Sequence, residues 1–121
     1  MCKLTGVGLD LCEIARMETL LQDERFLQRY FTEQEAAYIH SKNAQAAQTM
    51  AGIWAAKEAV LKAAGTGITC ALRDVEIVHD ALGAPGCCLH GDAAEKLPGS
   101  YTLSITHEGG MAAAVCIRME I

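Results

Sequence analysis

Apolar and polar residues alternate weakly over residues 1–11, where Gly6 and Gly8 interrupt the pattern. Such a stretch predicts a strand at a place where another backbone or a ligand comes close. Asp10 is expected to end it. Alternation puts Asp10 on the face of Gly6 and Gly8, opposite Val7 and Leu9, so its carboxylate looks into room that missing side chains leave. From Glu13 to Tyr30 the apolar residues Ile14, Met17, Leu20, Leu21, Phe26 and Leu27 suggest two short helical pieces broken around Asp23. Thr32 with Glu35 three residues on then reads as a capping box, with Phe31 as the staple residue before it.

Residues 44–64 read as the long helix of the chain, rich in Ala, Gln, Lys, Leu and Met, with Gly65 where a stop belongs. Its apolar positions run nearly all the way round, the mark of a helix buried in the core or between subunits. Lys57, Glu58 and Lys62 are therefore the residues that need explaining. A turn at Gly65-Thr66-Gly67-Ile68 follows, then a strand over Asp74–His79. The turn Gly83-Ala84-Pro85-Gly86 leads to a short strand at Cys87–His90, and residues 91–97 form a brief helix. Tyr101, Leu103, Ile105 and His107 share one strand face. Glu108-Gly109-Gly110 closes a hairpin, and Met111, Ala113, Val115, Ile117 and Met119 share a face of the last strand. The expected class is α+β, mostly antiparallel strands with a long helix across their apolar face.

A length of 121 residues suits one domain over 1–121, and 51% hydrophobic residues exclude a disordered chain. That apolarity in so small a domain hints at further burial against copies of itself. The net charge of −5 argues against nucleic acid as a partner. No stretch reads as a signal peptide or membrane span. The six cysteines lack a C-x-x-C spacing and are expected as reduced core residues of a cytoplasmic protein, with Cys87 and Cys88 on opposite strand faces.

Glu58 and Lys62, four apart on the long helix, lie about 40° apart in projection. They read either as a solvated ion pair or as a pair facing a cleft. Asp10 and Glu58 could form a sparse oxygen site for Mg²⁺, which takes one or two carboxylates, waters and phosphates. Asp10 could equally cap the following helix. Gly65-Thr66-Gly67 could cradle a phosphate or simply end the helix. His107 is either a satisfied core histidine or, near neutrality, a general base or a phosphate contact. Arg16, Arg25 and Arg29 are the only basic concentration. They read as scattered solvated residues or as a docking patch for an acidic protein.

Taken together, the runs Gly6-Val7-Gly8-Leu9-Asp10 with Arg16, Phe31-Thr32-Glu33 and residues 54–68, with K-E-A-x-x-K-A before G-T-G, resemble the holo-[acyl-carrier-protein] synthases. These are the bacterial 4′-phosphopantetheinyl transferases. The likeness continues through Asp74-Val75-Glu76-Ile77, Gly83-Ala84-Pro85 and Ser104-Ile105-Thr106-His107, and covers essentially the whole chain. It implies the 4′-phosphopantetheinyl transferase fold, assembled as a homotrimer with active sites between subunits. It also implies transfer of phosphopantetheine from coenzyme A to a serine of apo acyl carrier protein in fatty acid biosynthesis, with Mg²⁺ and release of adenosine 3′,5′-bisphosphate. By the resemblance Asp10 and Glu58 hold Mg²⁺, Lys62 meets the phosphates, and Gly65, Thr66 and Pro85 shape the coenzyme A site. His107 lies across the cleft, as a coenzyme A contact or a base, and Arg16, Arg25 and Arg29 face the carrier protein. Three positions depart from the family pattern. Ile53 stands where Arg is usual, Trp54 where Phe is usual and Met111 where an aromatic residue is common. Lys57 or a residue from another subunit is a candidate to replace the missing cation. Ile53 also motivates the alternative of a non-catalytic module that binds coenzyme A or another nucleotide.

Overall fold

The computed structural model describes residues 2–65 and 70–120. Strand β1 (Lys3–Glu13) is followed by three short helices, α1 (Ile14–Leu20), α2 (Glu24–Tyr30) and α3 (Glu33–Ser41). A single turn of 3-10 helix (Asn43–Gln45) leads into the long helix α4 (Ala46–Ala64). Strands β2 (Val75–His79) and β3 (Pro85–Leu89), helix α5 (Gly91–Lys96) and strands β4 (Ser100–Glu108) and β5 (Met111–Glu120) complete the chain. The architecture is α+β. One antiparallel sheet has the order β1-β5-β4, and β2 and β3 form a separate antiparallel pair.

The local signals fold as their chemistry requires. Asp23 caps α2 by accepting from the amides of Arg25 and Phe26. Thr32 and Glu35 make the reciprocal capping box of α3. Gly65 ends α4 in a left-handed conformation with φ 75°. Two boundaries differ from the sequence reading. β1 runs three residues past Asp10, because Asp10 to Glu13 keep pairing with Ala114 to Met111. Asp10 therefore caps no helix, and α1 starts from Glu13. Strand β3 takes in Pro85 and Gly86, which pair with His79 and Val78.

Helix α4 lies against β1 and β5. A Cβ on Gly6 would fall 1.9 Å from the Ala63 carbonyl oxygen, and one on Gly8 would fall 1.8 Å from that of Ala59. The glycines thus let helix and strand backbones touch, and the facing residues Ala112, Ala114 and Cys116 of β5 are correspondingly small and buried. The helix therefore covers the small-residue face. The face of Met111, Ala113, Val115, Ile117 and Met119 is turned away from it, because larger residues could not fit under so close a crossing. On that outer face Met119, Ile117, Val115 and Ala113 pair with Leu4, Val7, Leu9 and Leu11, which are 63–70% exposed on this single chain.

Gly8→Ala is expected to cost at least the upper end of the about 1–3 kcal/mol typical of overpacking, since the obstructing atoms are backbone. Urea unfolding of the variant checks this, and a loss below about 1 kcal/mol would contradict the contact.

Candidate active site

Three of the expected residues meet where β1 passes the second half of α4. Asp10 follows Gly6 and Gly8 on the helix-facing side of β1, as alternation requires. Lys62 reaches back across the crossing, with its Nζ 3.0 Å from Asp10 Oδ1 and 3.0 Å from the Leu9 carbonyl oxygen. The ion pair made by Lys62 is thus with Asp10, on another element, rather than the i,i+4 pair with Glu58 that helical spacing suggests. The pair is partly solvated, so it orients more than it stabilises.

Glu58 is half-buried beside this pair. Burial first, and the Asp10 carboxylate second, raise its carboxyl above the usual range, while Lys62 and Arg16 pull it down. A carboxylate whose charge is disfavoured by a second one beside it makes, with that neighbour, a fitting donor set for a hard divalent cation, which would relieve the repulsion and accept waters and phosphates in its remaining positions. Glu58 also lines a groove of about 510 Å³ with Arg16, Arg29, Tyr30 and Trp54. The Arg16 guanidinium lies 5.6 Å from the Trp54 ring centroid, and that of Arg29 lies 5.4 Å from the Tyr30 ring. Phe26 and Tyr30 each stand 5.4 Å from Trp54, so the groove wall is a packed aromatic cluster. The structure brings Arg16 and Arg29 to this groove. Arg25 is exposed on α2 and is not part of its lining.

His107 and Pro85 lie elsewhere, together lining a smaller groove of about 190 Å³ with Gln48, Tyr38 and His79. The exposed His107 ring is not a core group. Its Nε2 is 3.1 Å from Gln48 Nε2, on the first turns of α4. Asp10 and His107 sit on the two outer strands of the sheet, separated by β5 and hence by about 10 Å. Glu58 and Gln48 are ten residues apart on α4, or about 15 Å of helix rise. On one chain the two groups of candidates do not meet.

Gly65 donates its amide to the carbonyls of Leu61 and Lys62, so this N–H closes the helix and is not aimed outward. Thr66 lies outside the described residues. Lys57 does not replace the missing cation. It is fully buried, with its Nζ 2.9 Å from Glu35 Oε1, 2.9 Å from Leu72 O and 2.7 Å from Val75 O. A cation in a dry core is held by partners, and these three consume its donors. Ile53 is also buried, at 1% exposure, and contributes nothing to the groove. Met111 begins β5, half-buried and paired with Glu13 and Glu108.

Residues 6–116 match the 4′-phosphopantetheinyl transferase superfamily. The holo-[acyl-carrier-protein] synthase of Treponema denticola is 40% identical over 119 residues, covering 94% of this chain and 97% of that protein. This chain belongs to the 4′-phosphopantetheinyl transferase superfamily. Another relative in the family, the holo-[acyl-carrier-protein] synthase of Caldicellulosiruptor saccharolyticus, is 39% identical over 116 residues, covering 93% of this chain and 94% of that one. The transferase fold is matched by the crystal structure of the Helicobacter pylori holo-[acyl-carrier-protein] synthase in complex with coenzyme A. Its TM-score is 0.81 at 29% identity, covering 93% of this chain and 98% of that one.

Some residues beside these candidates carry no sequence signal. Gln48 meets a histidine 59 residues away. Trp54 was legible as an apolar helix residue, but its contact with Arg16 needs the packing of α1 on α4.

Proposed function

We propose that this chain is a holo-[acyl-carrier-protein] synthase that transfers the 4′-phosphopantetheine group of coenzyme A to a serine of apo acyl carrier protein. The observation that carries this reading is the carboxylate pair Asp10 and Glu58, set with Lys62 beside an arginine- and aromatic-lined groove in a chain of this family. Asp10 and Glu58 hold Mg²⁺, which when bound offsets phosphate charge and polarises the phosphorus under attack. Lys62 adds a point charge to the phosphates when it exchanges Asp10 for them. Pro85, Gly65 and Thr66 shape the coenzyme A site. The imidazole of His107, held by Gln48, meets coenzyme A or takes the proton of the carrier serine.

The reaction leaves adenosine 3′,5′-bisphosphate. Its formation from coenzyme A only when an apo carrier protein is present tests the reading; formation without a carrier would mark hydrolysis instead. The retained metal carboxylates disfavour a module that merely binds coenzyme A.

The assembly is a homotrimer in which a neighbouring subunit brings its His107 and Pro85 against Asp10 and Glu58. Support comes from the separation of the two groups on one chain and from the uncovered apolar outer face of the sheet, too large in side chain to be left in water. Sedimentation equilibrium should give three times the chain mass, and a monomer would contradict the shared site. No helix among the described residues is long and apolar enough to cross a membrane. The six free thiols suit a reducing compartment, the cytoplasm.

Arg16 and Arg29, and Arg25 on the neighbouring exposed surface, face the carrier protein. Arg16→Ala should raise the KM for carrier protein about 10-fold while leaving that for coenzyme A within twofold, and the difference should shrink with salt. Equal losses for both substrates in steady-state kinetics would overturn the docking role.

A further inference from the structure

On the separate β2–β3 pair stands a second cluster of ligating side chains. Glu76 and Cys88 are direct cross-strand partners, and His90 stands two residues beyond Cys88, so alternation brings all three to one face. One carboxylate oxygen, one imidazole nitrogen and one sulfur lie within 4.8 Å of one another, the one such group of three among the described residues. We propose that Glu76, Cys88 and His90 form a binding site for Zn²⁺ or a similar divalent transition metal, distinct from the hard-cation site of the transfer reaction.

The donor set decides the class of ion. A thiolate and an imidazole beside a single carboxylate select zinc-like ions over magnesium, which prefers oxygen alone. The spacing fits as well. Zinc bonds of about 2.0–2.3 Å at tetrahedral angles put ligand atoms about 3.3–3.6 Å apart. Glu76 Oε1 accepts a hydrogen bond from His90 Nε2 at 3.0 Å, a contact that an ion would replace by taking the place of the Nε2 proton, and the 4.8 Å limit on the sulfur closes with a rotamer adjustment of an exposed side chain. The cluster is also built rather than accidental. The Glu76 side chain is 7% exposed, and its other oxygen, Oε2, accepts from Thr32 Oγ1 at 2.5 Å, leaving Oε1 for the cluster. Such an outer hydrogen bond is what orients a ligating carboxylate. His90 is fixed by its own amide, which donates to Asp74 O at 2.9 Å. Cys88 and the His90 ring are exposed, so an ion has a path in and a water can fill the fourth position. Cys87 points the other way into the packed interior, where burial pushes its thiol up to about 12, and it takes no part.

The ion would tie β3 and the start of α5 to Glu76, whose partner Thr32 begins α3. Its expected consequence is therefore stabilisation of the folded chain. The test uses the full chain with Zn²⁺ and Co²⁺ as probes, the magnesium site left intact. Wild type should take up one Zn²⁺ per chain against a chelating dye, and at 100-fold excess over Kd its Tm should rise by roughly 5–10 °C. Cys88→Ser and His90→Gln, both at exposed positions, should each weaken binding at least about 10-fold while their circular dichroism stays that of wild type. Bound Co²⁺ should give a thiolate-to-metal charge-transfer band in wild type that Cys88→Ser lacks. Absence of uptake by wild type, uptake unchanged in Cys88→Ser, or bound Co²⁺ without the thiolate band would each overturn the site.

Discussion

Lys57→Met is expected to remove about 3–5 kcal/mol of folding stability, as breaking one side of a buried ion pair does. In the native chain Lys57 and Glu35 are both 0% exposed in their side chains and lie 2.9 Å apart. Burial pushes the Glu35 carboxyl up and the Lys57 ammonium down, and the charge of each opposes the shift of the other. Glu35 further accepts from the amides of Ile77 and Thr32, and Lys57 donates to the carbonyls of Leu72 and Val75. Methionine would fill the volume, but it would strand the carboxylate and take the ammonium donor from both carbonyls, leaving Leu72 O with the Val75 amide. The pair thereby ties α3 and α4 to the start of β2. The double variant Lys57→Met, Glu35→Met should lose less than the sum of the two single losses, because no charge is then left alone. Denaturant unfolding of the three variants measures this. A Lys57→Met loss below about 1 kcal/mol, or strict additivity, would contradict the assignment.

Asp10→Asn and Glu58→Gln should each lower kcat/KM for carrier protein modification by about 10²–10³-fold, the scale of removing one charged contact aimed at the reacting group. Both changes keep volume and remove charge. The fold should survive them, because the Asp10–Lys62 pair is partly solvated and exposed pairs contribute only tenths of a kcal/mol. Glu58 also sets a pH dependence. Its carboxyl is raised by burial and by Asp10, and a proton there competes with the metal. Mg²⁺ affinity should therefore be full above the raised value and fall as pH drops through it; Glu58→Gln should flatten that profile. Near-normal turnover in both variants, at limiting Mg²⁺, would remove the metal role from this pair.

The sequence made legible what local chemistry decides. Thr32 and Glu35 cap α3 because the two groups are three residues apart, and Gly65 ends α4 because only its backbone takes that conformation freely. Gly6 and Gly8 marked a close approach, and the nearby Asp10 followed from alternation. What escaped depends on residues far apart in the chain. The end of β1 is decided by β5, which goes on pairing past Asp10. On β1 and β5 the covered face of the sheet is the less apolar one, since the distance between helix and strand, and not hydropathy, selects the side chains beneath. Lys57 stood out as a polar residue in an apolar helix, but its partner Glu35 was read only as a capping residue. The separation of His107 from Asp10 likewise needed the strand order β1-β5-β4, which neither strand encodes alone.

The most direct test is the intact mass of an apo acyl carrier protein after incubation with this chain, coenzyme A and Mg²⁺, with EDTA in a parallel sample. A gain of one phosphopantetheinyl group, absent with EDTA and absent with Glu58→Gln, is the expected result. An unchanged carrier mass across a panel of apo carrier proteins, with coenzyme A still bound by the chain, would contradict the transferase assignment.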